Sequence, residues 1–331
     1  MVSTNSDNVK EDGDRPQSAD ASSAVPAITL AHLSDPHISC MEDIALRDLI
    51  SKRLFGYLRW KLHRGAEHGS RVLSALKSDL GRTQPDHIAV TGDLTHLGLP
   101  AESKKARQWL QSLGSPSRVT VIPGNHDAYV KSIWHQTMGR WTDYMISDSS
   151  PDNDPESNKS QKIFPSLRIR GCIALIGLST ARPSAPHLAV GTMGAAQLKS
   201  LEDILARSAG RQLYRILLIH HPPASGTVSW RKRLTDAADL RSLLDQYGAE
   251  LILHGHAHRT LQNRLPSPTG NIPVMGVPSI SSLGRTPERR ARYYIYRIKP
   301  GNDGWQVSLE VRIYSTEEDR FLRESGPINF E

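Results

Sequence analysis

Five short stretches of the chain place carboxylate, amide or imidazole side chains directly after an apolar run. Each run has the length of a β-strand, and open α/β sheets bind their ligands at the ends of strands. The polar residues at these ends are Asp35 and His37, Asp93, Asn125 and His126, His220 and His221, and His256 and His258. Because the donors are oxygen and nitrogen atoms with no thiolate, they suit Mn, Fe or Zn better than Ca. The sequence therefore predicts a transition-metal site.

The number of donors and their spacing indicate more than one ion. Seven ligands drawn from these nine residues are too many for a single ion that keeps an open position, but they fit two ions that share one carboxylate. Two ions about 3.5–4 Å apart can clamp the attacking and leaving oxygens of phosphoryl transfer, and a water between them becomes a nucleophile near neutral pH. His256 and His258, like Asp35 and His37, are two residues apart. On an extended segment such pairs point to one face.

The elements that must position these residues alternate along the chain. The five apolar runs lie in residues 27–37, 87–93, 119–127, 214–221 and 250–258, and a sixth, 169–180, is predicted to form one further strand. Leu and Ala recur at helical spacing in residues 69–80, 101–113, 195–208 and 235–247. Alternating strands and helices predict an α/β fold, and near-continuous apolar runs are typical of strands buried on both faces.

Five ordered motifs resemble those of the calcineurin-like metallophosphoesterase superfamily. They are D-x-H (35–37), G-D (92–93), G-N-H-D (124–127), H-x-P (220–222) and G-H-x-H (255–258), and they extend from about residue 28 to residue 260. The resemblance implies a four-layer αββα fold, in which two mixed β-sheets pack face to face with helices outside. It also selects His220 rather than His221 as a ligand, because Pro222 completes the H-x-P pattern.

The resemblance further implies a role for each polar residue. It implies two divalent or trivalent ions bridged by Asp93, with the other ligands in two sets: Asp35, His37 and His258 for the first ion, and Asn125, His220 and His256 for the second. His126 is implied to bind no metal. The resemblance implies instead that His126 contacts the phosphate and protonates or stabilises the leaving oxygen. Asp127 is implied to orient a neighbouring residue.

The same motifs restrict the class of substrate. Protein phosphatases of this superfamily read G-D-x-x-D-R-G and G-N-H-E, whereas GDLTHLG (92–98) lacks the arginine and Asp127 replaces the glutamate. The layout is more similar to bacterial phosphodiesterases that act on cyclic nucleotides and other small diesters, although these often carry an acid at the position of His96. His96 is therefore either a substrate contact or a surface turn histidine. We predict a small-substrate phosphodiesterase that uses a metal-bridging hydroxide as nucleophile.

Several alternatives remain open on this scaffold. A phosphomonoesterase, a pyrophosphatase or a nuclease would use the same motifs, since fold and metal site do not separate these activities. Nucleic acid is the less favoured partner because the chain has no recognisable motif for reading bases. A non-catalytic binding scaffold is the remote alternative, because all the implied metal ligands are retained.

The composition of the chain limits its possible domain organisation and location. It has 331 residues with 41 basic and 34 acidic side chains, and the first 26 residues hold two of the bases and five of the acids. This polar segment, 1–26, is predicted to be a disordered tail, and 27–331 a single basic domain that attracts phosphate-bearing molecules. Two cysteines make no disulfide framework. With no signal peptide and no apolar stretch of about 18 residues, the predicted location is cytoplasmic.

Two inserts interrupt the pattern of strands and helices. Residues 147–161 are polar and contain proline, which predicts a mobile loop. Residues 47–71 carry seven bases against two acids and are predicted to form a basic helical insert. Within it, 51–65 has one apolar stripe. This stretch could pack on the body, cover the site as a lid for phosphorylated substrate, or contact an anionic membrane surface.

Overall fold

The computed structural model describes residues 26–40, 53–54, 69–148, 163–284, 286–302 and 304–324. Its helices are α1 (Ser70–Thr83), α2 (Pro100–Leu113), α3 (Ala195–Ser208) and α4 (Ala237–Tyr247). Its strands are β1 (Ile28–Leu33), β2 (His87–Val90), β3 (Val119–Val121), β4 (Ser166–Arg170), β5 (Ile173–Gly177), β6 (Tyr214–Leu218), β7 (Leu251–His254), β8 (Leu261–Ser267), β9 (Gly270–Gly276), β10 (Arg292–Gly301), β11 (Gly304–Ser315) and β12 (Arg320–Arg323).

The strands form two mixed sheets of six strands each. The first has the order β12-β11-β10-β1-β2-β3 and the second the order β4-β5-β6-β7-β9-β8. Strands β1, β2 and β3 are parallel, as are β5, β6, β7 and β9. The other neighbours in both sheets, including β1 and β10, pair antiparallel. The carboxyl ends of the parallel strands therefore meet at one edge of each sheet, where open sheets place their ligands.

Three apolar clusters define four layers. Between the sheets, Leu30 and Tyr296 of the first sheet pack with Ile216 and Leu253 of the second. On the outer face of the first sheet, buried side chains of α1 and α2 pack against β1, β2 and β3. On the outer face of the second sheet, α3 and α4 cover β5, β6, β7 and β9. The expected four-layer αββα arrangement of two mixed sheets is confirmed.

The four predicted helices are also confirmed, but the strand predicted over 169–180 is wrong in its first part. Strand β4 ends at Arg170 and β5 begins at Ile173, and the two pair antiparallel, with Arg170 opposite Ile173. Gly171 between them has a φ of 54°. A glycine adopts this left-handed conformation without the penalty of a Cβ, so the apolar run reverses direction there.

The predicted domain limits fall largely outside the described residues. Residues 1–25 of the predicted tail lie outside them, as do most of the predicted loop 147–161 and all of the basic insert except Arg53, Leu54 and residues 69–71. These limits stay predictions. Within the described part of the chain, no helix combines the length and the apolar character that crossing a membrane requires. The cytoplasmic location stays a prediction.

A buried charge network joins α1 to the first sheet. Asp79 of α1 is fully buried, and Arg312 of β11 donates to both of its carboxylate oxygens at 2.6 and 2.9 Å. Tyr293 and Arg82 donate to the same carboxylate at 2.6 and 2.7 Å. Burial alone would raise the pKa of Asp79, but these hydrogen bonds hold it below its ordinary value. The carboxylate therefore stays ionised and fixes α1 on β10 and β11.

We expect Asp79→Ala to lower the free energy of unfolding by about 3–5 kcal/mol, because it removes the carboxylate that pairs with two nitrogens of the largely buried Arg312 guanidinium. Urea unfolding at neutral pH measures the change. The matched control is Arg82→Ala, which removes an exposed member of the network and should cost less than about 1 kcal/mol. Equal losses of unfolding free energy in the two variants would show that burial of the Asp79 carboxylate adds nothing to stability.

Candidate metal centre

The predicted site residues all follow the carboxyl ends of parallel strands. In chain order, Asp35 and His37 follow β1, Asp93 follows β2, Asn125 and His126 follow β3, His220 follows β6, and His256 and His258 follow β7. Both sheets contribute, since β1, β2 and β3 belong to one and β6 and β7 to the other. The site therefore lies where the edges of the two packed sheets meet.

Sharp local bends, rather than extended backbone, turn these side chains together. Of eight non-glycine residues with positive φ in the described part of the chain, five are predicted ligands: Asp35 (53°), His37 (47°), Asp93 (52°), His256 (66°) and His258 (50°). The expectation that pairs two residues apart converge on an extended segment is wrong. Left-handed backbone at non-glycine residues is strained, and such strain is concentrated at functional sites.

Four of these residues bring their donor atoms to one point. Asp35, His37, Asp93 and His258 each offer one donor atom, and these atoms all lie within 4.8 Å of one another. His258 Nε2 lies 2.9 Å from His37 Nε2 and 3.1 Å from Asp35 Oδ1. Two imidazoles and two carboxylates at this spacing form the first donor cluster.

A second donor cluster shares one residue with the first. Asp93, His220 and His256 also place one donor atom each within 4.8 Å of one another. His220 Nε2 lies 3.3 Å from Asp93 Oδ2. The membership of Asp93 in both clusters has the connectivity that a bridging carboxylate requires.

Three buried donor atoms on the proposed ligands are without a hydrogen bond within the described residues. They are Asp35 Oδ1, Asn125 Oδ1 and His220 Nε2. Asp35 Oδ1 lies 3.1 Å from His258 Nε2, and His220 Nε2 lies 3.3 Å from Asp93 Oδ2, so these two atoms face other donors of the clusters. A buried polar atom whose hydrogen-bonding capacity is unmet costs about 1–3 kcal/mol. A bound cation would satisfy all three atoms, so the donor atoms fit metal ions.

The opposite ring nitrogens of the histidines are held by backbone carbonyls. His220 Nδ1 donates to the carbonyl of Thr91 at 2.7 Å, and His256 Nε2 donates to that of Lys232 at 3.0 Å. A carbonyl accepts only, so each contact fixes the proton on that nitrogen and leaves the lone pair on the other. His220 therefore presents Nε2 to the centre, and His256 presents Nδ1.

Burial and mutual charge set the protonation of the centre. Burial alone would raise the pKa of Asp93, but His220 and His126 hold it well below its usual range. Burial opposes a charge on His220, but Asp93 beside it raises its pKa to about 9. Burial lowers the pKa of His256 well below its ordinary value, and His221 adds to the effect. The centre thus combines an ionised carboxylate with a neutral imidazole at His256, whereas His220 would release a proton from Nε2 when a cation binds in its place.

Asp127 joins the two loops that carry Asp93 and Asn125. Its carboxylate accepts hydrogen bonds from Gly124 N at 2.9 Å and from Thr95 N and Oγ1, both at 2.9 Å. Burial, with Asp93 nearby, raises its pKa to about 6. Because Asp127 contacts backbone on both sides, it fixes one loop against the other, in keeping with its implied orienting role.

His126 lies against the first donor cluster. Its ring centroid is 4.8 Å from that of His37, its backbone N–H donates to Asp93 Oδ1 at 2.7 Å, and its Nδ1 is 2.5 Å from the carbonyl of His96. His96 is only 3% exposed, and its ring is 5.4 Å from that of His126. The alternative of a surface turn histidine at His96 is therefore wrong, and His96 forms a wall of the site.

His221 supports the centre without facing it. Its Nδ1 is 2.7 Å from Thr180 Oγ1 and its Nε2 is 3.1 Å from the carbonyl of Ala189, so both nitrogens are occupied. Its ring packs on that of His256, with centroids 4.2 Å apart.

Sequence reasoning missed the support that His221 gives to His256 and the carbonyl of Lys232 that orients the His256 ring. A backbone carbonyl carries no sequence signal, and partners distant in the chain cannot be paired from one sequence.

The loop that carries His96 is held by a buried glutamate and by the described part of the basic insert. Glu102 of α2 accepts from the N–H groups of Leu97 and Leu99 at 2.8 and 3.1 Å. Arg53 donates to the carbonyls of Leu97 and Gly98 at 3.0 and 2.7 Å. Burial raises the pKa of Glu102 to about 7. The basic insert therefore contacts the wall of the site through Arg53.

The raised pKa of Glu102 predicts how stability depends on pH. The folded chain binds the Glu102 proton more tightly than the unfolded chain does. The resulting stabilisation is complete below the unfolded pKa of 4.5 and is lost as pH rises through about 7. We expect Glu102→Gln, which keeps an acceptor but has no charge, to gain stability relative to the parent chain between pH 5 and pH 8. The relative gain is up to about 3 kcal/mol. Urea unfolding at both pH values measures it, and a difference independent of pH would contradict the prediction.

The fold and the clustered donors define a metallophosphoesterase. Residues 28–260 match the family of calcineurin-like phosphoesterases, and the chain belongs to this family. A probable cyclic nucleotide phosphodiesterase of Synechococcus sp. is 26% identical over 240 residues, 71% of this chain and 80% of the relative. A cAMP/cGMP dual specificity phosphodiesterase of Mycobacterium tuberculosis is 27% identical over 239 residues, 70% of this chain and 62% of the relative.

Solved structures agree on the fold. A dimetal phosphatase from Danio rerio superposes with a TM-score of 0.54 at 14% sequence identity, covering 86% of this chain and 98% of the phosphatase. At this identity the likeness concerns the fold alone. The chain is thus a calcineurin-like metallophosphoesterase, a hydrolase of phosphoric esters.

Proposed function

We propose that this chain is a phosphodiesterase for small phosphodiesters that uses two transition-metal ions bound at the strand ends. The observation that carries the proposal is the convergence of donor atoms from Asp and His side chains on two clusters that share Asp93. Two of the buried donors in these clusters, Asp35 Oδ1 and His220 Nε2, make no hydrogen bond within the described residues. Burying polar atoms whose hydrogen-bonding capacity is unmet lowers stability, and bound cations would reduce that cost.

The clusters support the allocation of ligands between the two ions. Asp93 would be shared by both ions, and Asp35, His37 and His258 would hold the first. His220 and His256 would hold the second, together with the buried oxygen of Asn125, which makes no hydrogen bond within the described residues. Imidazole, carboxylate and amide donors favour Mn, Fe or Zn. When bound, such ions neutralise phosphate charge and supply a water that loses its proton near neutral pH. Elemental analysis of the purified chain identifies the metals.

The chain's own residues position the reaction. The carbonyls of Thr91 and Lys232 hold the rings of His220 and His256 so that their lone pairs face the centre. The Nδ1–H of His126 donates a hydrogen bond to the carbonyl of His96, which orients the ring beside the first donor cluster. We assign to His126, when both of its ring nitrogens are protonated, the Nε2 proton that passes to the leaving oxygen as its bond to phosphorus breaks, which leaves a neutral imidazole.

Two observations support a diester as the substrate. The loop 92–98 lacks the arginine that the protein phosphatases of the superfamily carry in this motif. Two relatives that align with about 70% of this chain bear names of cyclic nucleotide phosphodiesterases. Small and cyclic-nucleotide-type diesters are therefore the proposed class.

A substrate panel tests the proposal. The chain loaded with Mn²⁺ is assayed on an aryl phosphodiester, 3′,5′-cyclic AMP, an aryl phosphomonoester, pyrophosphate and single-stranded DNA. We expect at least about a tenfold higher kcat/KM on a small diester than on the monoester or pyrophosphate, and loss of turnover with a chelator. Preference for the monoester or pyrophosphate would overturn the proposal. Preference for DNA that weakens steeply with salt would favour a nuclease. Absence of both bound metal and activity would indicate a binding scaffold.

A further inference from the structure

A short turn beside the second donor cluster exposes an aromatic ring and adjacent cationic side chains. Residues Trp230–Lys232 form a single 3₁₀ turn, followed by Arg233, and we name this segment the Trp230–Arg233 turn. Trp230 is 62% exposed, the largest exposure of any large apolar side chain in the described part of the chain. The three basic residues after it are exposed as well. The turn therefore places stacking surface and positive charge at the protein surface.

The backbone of this turn is fixed to the metal centre and to a neighbouring segment. The carbonyl of Lys232 accepts from His256 Nε2 at 3.0 Å. The carbonyls of Arg231 and Arg233 accept from Ala189 and Gly191 at 2.9 and 3.1 Å. Because one carbonyl of the turn contacts a proposed ligand directly, the turn adjoins the second donor cluster, with the His256 ring between them. A turn held at several points presents its side chains without a large ordering cost on binding.

The side chains of the turn have the chemistry that recognises a nucleoside phosphate. The flat face of an indole stacks on a nucleobase, and guanidinium groups bind phosphate oxygens through paired, charge-assisted hydrogen bonds. The Arg231 guanidinium lies 5.4 Å from the centroid of the Trp230 ring, so charge and stacking surface are adjacent. Two ions at the metal centre would neutralise the reacting phosphate. The exposed guanidinium of Arg231 therefore suits a second anionic group better than the reacting one.

We propose that the Trp230–Arg233 turn binds the part of the substrate beyond the reacting phosphate, and that this part is a nucleoside carrying a second phosphate group. Trp230 stacks on the base, and Arg231 binds the second phosphate. The inference rests on the proposed phosphodiesterase function and narrows it from small diesters in general to nucleotides with an additional anionic group.

Two matched pairs of substrates test this inference with the metal-loaded full chain. The first pair is a dinucleotide with and without a 5′-terminal phosphate, and the second is 3′,5′-cyclic AMP and a glycerol phosphodiester without an aromatic ring. We expect the 5′-phosphate to lower KM about tenfold in the parent chain, as a charge-assisted contact does. Arg231→Gln should abolish this preference. Trp230→Leu should raise KM about tenfold for the base-containing substrates alone.

Controls separate this inference from the proposed function. Trp230→Tyr keeps a stacking ring and should retain most of the affinity lost in Trp230→Leu. Arg297→Ala removes one exposed charge where β10 pairs with the start of β1, away from the strand ends that form the centre, and should leave KM unchanged for every substrate.

Unchanged KM values in both Trp230→Leu and Arg231→Gln would overturn the inference while diester turnover stands. Affinity that rises with oligonucleotide length would also overturn it, in favour of single-stranded nucleic acid. Absence of turnover on every diester would instead refute the proposed function.

Discussion

Asp93→Asn should lower kcat on a small phosphodiester by at least about a thousandfold and should reduce the bound metal below two ions per chain. Asp93 is the residue that both donor clusters share, so its loss of charge affects both proposed ions at once. Removal of one electrostatic group aimed at a developing charge costs about a hundred- to a thousandfold in kcat. Loss of a ligand shared by both ions should lower kcat by more than that, because both proposed metal positions depend on it.

Asparagine is the sharper replacement here for a conformational reason. Asp93 has a φ of 52°, which asparagine tolerates better than alanine, so the variant changes charge with little backbone strain. Asp245→Ala, which removes an exposed carboxylate from α4, serves as the control and should retain full activity. Metal content by elemental analysis and kcat are measured together. Two bound ions and full turnover in Asp93→Asn would refute the bridging role.

His126→Ala should retain both ions and still lose about a hundred- to ten-thousandfold in kcat. His126 lies at the edge of the first cluster, with Nδ1 against the carbonyl of His96 and its ring centroid 4.8 Å from that of His37. General acid catalysis by a positioned histidine contributes about this much to a rate. Because the expected loss is in the transition state, kcat should fall more than KM rises.

The neighbouring residue provides the matched comparison. Asn125→Ala removes a buried oxygen that lacks a hydrogen-bond partner among the described residues, and it should weaken the retention of one ion. Adding excess metal should partly restore activity in Asn125→Ala but not in His126→Ala. The exposed residue His135 gives a histidine control, and His135→Ala should behave like the parent chain. Equal loss of metal in the Asn125 and His126 variants would refute this division of roles.

Much of the fold could be predicted because its pattern is local. Buried parallel strands need near-continuous apolar runs, and helices need apolar residues at helical spacing, so both can be recognised from the sequence alone. The helix predicted over 195–208 agrees with α3 in both limits. The run 169–180 has the pattern of one strand, because its apolar residues continue on both sides of a tight reversal. Only Gly171 marks the position where the chain turns.

The sequence by itself determined the family, the order of the motifs and the types of donor that the centre contains, because these are chemical identities carried by single residues. Only the tertiary structure decided which atoms meet. Five left-handed residues turn the predicted ligands inward, and the carbonyls of Thr91 and Lys232 select the ring nitrogen that each histidine presents. His96 becomes part of the wall, and His221 becomes a support behind His256. These features depend on contacts between strands far apart in the chain and on backbone groups that every residue possesses, so no local pattern can specify them.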